Sequence, residues 1–146
     1  MCSEHSTVRG ILENLPEGDN KATMLDMGAT PEPFSRGTLR PVDVMLLVAE
    51  PYYKSLEAVV RMDKLARQLG ISQVKIVANK VKDDEHRKAI EEICNNNGLE
   101  LLKLLPYNDF FLSADFQGVS PIDLDEKSQG IDEIEDLAEK VEALVV

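Results

Sequence analysis

The 146-residue chain carries 27 acidic against 16 basic residues, a formal net charge of −11, with 43% hydrophobic and 29% charged residues. That balance suits one soluble domain with a core. It disfavours a general nucleic-acid or anionic-membrane binder, because both need clustered Lys and Arg. No apolar run approaches the roughly 18 residues that cross a bilayer and no signal peptide is visible. With no Trp and 5% aromatics there is also no platform for stacking single-stranded nucleic acid.

Thr7 to Leu15 has helical spacing of Val8, Ile11, Leu12 and Leu15, and Pro16–Glu17–Gly18–Asp19 stops it. Ala22–Thr23–Met24–Leu25, ending at Asp26, reads as a short buried strand. The following MGATPEPFSRGTLRP is too rich in Pro and Gly for regular structure. Val42 to Val48 is nearly continuous apolar sequence, the signature of a strand covered on both faces, and Pro51 closes it. Ser55 can cap a helix running to about Leu69, with Gly70 where a C-terminal cap belongs. Val74 to Ala78 is the next strand, ending in Asn79–Lys80. Asp83 or Asp84 starts a helix that frays through Asn95–Asn96–Asn97 into Gly98. Leu99 to Leu105 is a strand ended by Pro106. A short helix covers Asp109 to Phe116, and an acidic amphipathic helix runs from Ile131 to Leu144, its acids on a solvated face.

Strand alternates with helix throughout, and no repeat or linker divides residues 1–146. The fold class is therefore α/β, a parallel sheet with helices on both faces. Ligands of such sheets sit at the carboxyl ends of the strands. There the sequence places Asp26, Glu50, Asn79–Lys80 and Tyr107–Asn108–Asp109. An aspartate in Asp26's position either orients a metal-bound water beside a nucleotide phosphate or simply caps loop amides. The Asn79 amide offers a donor and an acceptor to a purine edge, and the Lys80 stem can lie along the ring. A guanine-specific site needs an aspartate two residues beyond the lysine. Lys82 stands there, so adenine fits better, although a turn asparagine also explains Asn79. Cys2 and His5 are both metal-ligand types three residues apart, and two ligands do not complete a tetrahedral site. Cys94 reads as a small packing residue. Two cysteines so far apart argue against a disulfide and for a reducing cytoplasm. The sequence holds no G-x-x-x-x-G-K-[S/T], no G-x-S-x-G and no H-E-x-x-H, hence no self-sufficient active site of those kinds.

In order, CSEHSTVRGIL, LDMGATPEPFSRGTLRPVDVMLLVAEPYYKSLE, VANKV and LPYNDFFLSAD resemble one group. It is the nickel-inserting maturation ATPases of carbon monoxide dehydrogenase, within the deviant-Walker, MinD/ParA-like (SIMIBI) P-loop NTPases. The resemblance covers nearly the whole chain from Cys2. It implies that Asp26 and its loop form the Walker-B/switch region, that Asn79 with Lys80 reads adenine, and that Pro106 borders the base. Cys2 is implied to be the second cysteine of a C-x-C metal motif that meets its mate across an ATP-closed homodimer. Four thiolates would then hold nickel or zinc. ATP with Mg and the nickel or zinc are implied only for a full-length family member, and carbon monoxide dehydrogenase or a similar nickel enzyme is the implied client.

The chain departs from the family at three points. The P-loop strand and phosphate-binding lysines are missing, the first cysteine of C-x-C would precede Met1, and the switch reads DMGAT. The resemblance thus implies a P-loop NTPase fold missing its first strands. In the family the P-loop strand lies between the elements represented here by residues 22–25 and 42–48, which leaves both with unpaired edges. Without amides cradling phosphates, the chain is expected neither to bind ATP tightly nor to hydrolyse it. The alternative expectation is a non-enzymatic α/β interaction module that pairs with a separate P-loop half or partner protein.

Overall fold

The structure is a computed structural model, and it describes residues 10, 11, 14, 22–28, 42–124 and 128–145. Three parallel strands, β1 (Val44–Ala49), β2 (Gln73–Val81) and β3 (Leu101–Pro106), form a sheet in the order β1-β2-β3. Helix α1 (Tyr53–Gln68) carries the chain from β1 to β2, and α2 (Asp84–Asn97) from β2 to β3. Side chains alternate across a strand, so the register Met45↔Val74, Leu47↔Ile76, Ala49↔Ala78 sends one set of residues to one face. That set packs with Leu56, Val59 and Ala66 of α1 and Ile90 and Cys94 of α2 to form the core. Ile76, Ile90 and Val74 are less than 2% exposed, and burying each such side chain stabilises the fold by about 1.5–3 kcal/mol.

One extra residue in β3 lies opposite the Ile76/Val77 step, with Ile76 facing Leu101 and Val77 facing Lys103. Leu101 and Leu104 therefore both reach the core, while Lys103 stands on the other face. There its ammonium meets Glu133 and Asp136 of α4 (Gln129–Val145). Near the other end of α4, Gln73 Nε2 donates to the Leu144 carbonyl at 3.3 Å. The helices thus cover both faces of the sheet, as the alternation of elements implies. Between β3 and α4 lie α3 (Asp109–Gln117) and a 3-10 turn (Pro121–Asp123). No helix among the described residues is long and apolar enough to cross a membrane.

The element ends follow local chemistry. Asp83 caps α2 by accepting the His86 N–H at 2.9 Å, and Asn108 caps α3 by accepting the Phe110 N–H at 2.9 Å. Gly98 and Gly118 close those helices in the left-handed conformation. Ser55 is not a cap. Tyr52 holds that position, and the Ser55 hydroxyl, inside the first turn, accepts the Glu50 N–H at 3.0 Å.

The expected strand Ala22–Leu25 does not form. Residues 22–28 have no regular structure, Met24 is 87% exposed, and only Met27 packs against the core. An apolar tetrapeptide becomes a strand only when a neighbour accepts its ladder, and β1 pairs here with β2 alone among the described residues. The expected helix over 7–15 falls mostly outside the described residues. Gly10 and Ile11 are helical, and the Asn14 N–H donates to the Ile11 carbonyl at 3.1 Å.

Candidate functional site

The carboxyl ends of the three strands carry Glu50, Asn79–Lys80 and Tyr107–Asn108–Asp109, as the sequence places them, but not Asp26. At the end of β2 the chain passes through Asn79 and Lys80, and Lys80 adopts φ 59°, the one positive φ at a non-glycine among the described residues. Few L-residues enter this region, and backbone strain of this kind clusters at functional sites. Asn79 Oδ1 stabilises the turn by accepting the Lys80 N–H at 2.9 Å. That leaves the Asn79 side-chain NH₂ and the second lone pair of its oxygen for a ligand.

The turn throws the Lys80 ammonium across to β1, where it lies 2.8 Å from Glu50 Oε1. The hydrogen bond to Glu50, reinforced by the carboxylate's charge, raises the Lys80 pKa and keeps it cationic. Glu50 is itself anchored through its backbone by Ser55. On the opposite side Pro106 pairs with Val81, and the Tyr107 N–H donates to the Val81 carbonyl at 2.9 Å, fastening the end of β3 to that of β2.

Two contacts at this rim were not foreseen. The Lys82 ammonium stands 4.4 Å from the centroid of the Tyr107 ring, a cation–π geometry. The Tyr107 hydroxyl donates to Asp109 Oδ1 at 2.9 Å, and that bond raises the phenol's pKa and fixes the ring. An aromatic residue directly after the strand-ending proline was the available signal. Asn79, Lys80 and Pro106 are thus brought together, with Glu50, Lys82 and Tyr107 around them. Aromatic, cationic and amide groups share one rim, a combination that suits a flat, hydrogen-bonding heterocycle.

Asp26 stands exposed in the irregular segment 22–28, and none of the cluster's hydrogen bonds or ion pairs reaches it. Cys2 and His5 lie outside the described residues. Among the described residues no group of three or more His, Cys, Asp and Glu side chains is placed to hold a metal ion. Cys94 is buried, and desolvation pushes its thiol pKa up, as befits a packing residue.

No protein-family model matches the chain. An uncharacterized ATP-binding protein of Methanocaldococcus jannaschii is 37% identical over 128 residues, covering 88% of this chain and 49% of that protein. A second from the same organism is 32% identical over 142 residues, covering 96% and 55%. The carbon monoxide dehydrogenase accessory protein CooC of Rhodospirillum rubrum is 32% identical over 124 residues, covering 85% and 46%. The chain spans about half the length of the curated relatives it matches. Among solved structures, the MinD cell division protein of Aquifex aeolicus superposes with a TM-score of 0.61 at 23% identity, over 73% of this chain and 46% of that one.

Proposed function

Since the chain belongs, over about half of their length, to the CooC-type, MinD/ParA-like ATPases, we propose that it carries the base-binding end of an ATP site in a nickel-delivery accessory protein. Asn79 reads the adenine edge, the Lys80 stem lies along the ring, and Pro106 borders the base. In a full-length member of the family, Asp26 belongs to the phosphate end, where it orients a metal-bound water, and Cys2 contributes a thiolate to a nickel or zinc site shared with a second copy in the ATP-bound homodimer. Nickel is cargo, and the client is carbon monoxide dehydrogenase or a similar nickel enzyme in the cytoplasm.

The observation that carries this reading is the meeting of Asn79, Lys80 and Pro106 at one strand-end rim, with a strained backbone at Lys80. The residues fit the base. For the phosphates, the sequence offers no G-x-x-x-x-G-K-[S/T], so the 146-residue chain binds ATP no better than adenosine and does not hydrolyse it.

The test combines calorimetry with amide chemical shifts. ATP gives no micromolar dissociation constant. Millimolar adenosine moves the amide signals of Asn79, Lys80 and Tyr107, and guanosine does not. Shifts confined to other residues would remove the base assignment, and micromolar ATP binding would remove the claim about the phosphates.

The open edge of β1 among the described residues favours a second reading, a non-enzymatic module that pairs with a separate P-loop-bearing half. Coexpression with such a half would then yield a one-to-one complex that binds ATP, whereas the chain alone does not.

A further inference from the structure

Helix α3 is apolar on both sides. Phe110 and Phe111, in edge-to-face contact, and the buried Ala114 form its half-buried side. Leu112 and Phe116, one turn apart on the helix, are 46% and 83% exposed, and just beyond them Val119 and Ile122 are 42% and 81% exposed. Exposed apolar groups gathered on one short segment mark an interaction surface.

The segment is ordered rather than frayed. Gly118 closes α3, the Val119 N–H donates to the Ala114 carbonyl at 3.2 Å, and Ser120 Oγ accepts the Ile122 N–H at 3.4 Å to cap the 3-10 turn. Its backbone donors are thus occupied, so a partner is recognised by side-chain packing and not by strand addition. The surface follows β3 in the chain, and β3 is the strand farthest from β1 in the sheet.

Charge selects the partner. Between Leu104 and Leu124 the described chain carries three acids, Asp109, Asp115 and Asp123, and neither Lys nor Arg. A second copy would bring the same three acids against these, and an anionic membrane would repel them. We propose that Leu112, Phe116, Val119 and Ile122 form a docking surface for a cationic amphipathic helix of another protein. Its apolar ridge packs on the four side chains, and its Lys or Arg residues meet Asp115 and Asp123 at the rim.

The probe is an 18-residue helical peptide with Leu on one face and Lys on the other, fluorescein-labelled and titrated with the full chain by anisotropy. The comparison peptide has the same composition with the leucines dispersed. The amphipathic peptide binds at least tenfold more tightly than the dispersed one. Phe116→Asp and Ile122→Asp each weaken it at least tenfold, even though each adds a negative charge. Asp115→Asn weakens it a few-fold, and raised salt does the same. Unchanged or tighter binding to either Asp variant would mean bulk charge attraction and overturn the proposal. So would a dimer in sedimentation that Phe116→Asp converts to monomer, because the occupant would then be a second copy. Both substituted positions are more than four-fifths exposed. If one variant loses its thermal transition, the other decides the outcome.

Discussion

Lys80 combines an unfavourable backbone conformation with a side-chain ion pair, and the two are separable by substitution. Lys80→Gly and Lys80→Val both remove the contact to Glu50. Glycine enters φ 59° without a Cβ penalty, whereas a β-branched residue resists it. The glycine variant should therefore melt several degrees above the valine variant in thermal denaturation. Equal melting temperatures would mean that the turn at Lys80 relaxes freely. Asp63 poses a different problem at the same scale. It is 5% exposed, and Arg67 Nε donates to both of its oxygens at 3.0 Å. Arg67→Ala leaves that carboxylate nearly buried without its donor and should cost about 2 kcal/mol, read as a lower urea midpoint. The double variant Asp63→Leu with Arg67→Met should recover more than half of the loss, because it removes the stranded charge as well.

At the scale of elements, α4 is held to β3 by charge and close contact. The ammonium of Lys103 meets Glu133 and Asp136, and Asp136 also meets Lys140. Hydrogen bonds from Lys103 and then Lys140 hold the Asp136 carboxyl below its ordinary value of 3.8, and a hydrogen bond from Lys75 lowers Glu100 from 4.5. A carboxylate with a depressed folded pKa stabilises the fold above its unfolded value, and that contribution is lost as pH falls through the folded one. The urea midpoint should therefore drop between about pH 5 and pH 3. Lys103→Met should flatten that slope in part, since Asp136 loses the first of the two partners that lower it. Where α4 begins, a Cβ on Gly130 would stand 2.6 Å from Phe111 Cε2, inside contact distance. Gly130→Ala should then cost about 1–3 kcal/mol, also by urea midpoint, while Phe111→Leu in the same background should restore part of it.

These elements also show what local sequence can specify. The apolar runs at Val44–Ala49 and Val74–Ala78 became strands because each meets a neighbour on the sheet, and the acidic stretch became α4, two of whose acids meet Lys103. Residues 22–25 have the same apolar character, yet Met24 stays exposed, because pairing depends on a partner that a window of four residues does not contain. The second strand also continues past Ala78 to Val81, because Val81 finds Pro106 across the ladder after the irregular turn at Lys80. At the candidate site, Asn79 and Lys80 were legible from their place at a strand end, and Pro106 through the family resemblance. The Lys80–Glu50 and Lys82–Tyr107 contacts were not, because each joins residues 25 or more apart through a backbone turn that no residue preference announces.

For the whole molecule, the consequence of the strand order is a difference between centre and edge of the sheet. Among the described residues β2 has a partner on each side, while β1 and β3 each have one, and Val48 on the face opposite the core is 61% exposed. In a parallel ladder successive N–H groups of a strand point to opposite sides, so only alternate amides of β1 face β2. Native-state hydrogen exchange should therefore show nearly continuous protection along β2 and an alternating pattern along β1, with the outward-facing amides exchanging fastest. If every amide of β1 is protected, a further strand covers that edge in solution. Dilution then distinguishes the sources. Protection that fades at low concentration comes from a second copy, whereas protection independent of concentration comes from within the chain. In either of those cases, a sheet whose first strand is already flanked has no edge to offer a separate P-loop half, and the pairing reading loses the feature that favours it. An alternating pattern leaves that edge free for such a half. The base-end assignment is independent of both outcomes, because Asn79, Lys80 and Pro106 lie on β2 and β3.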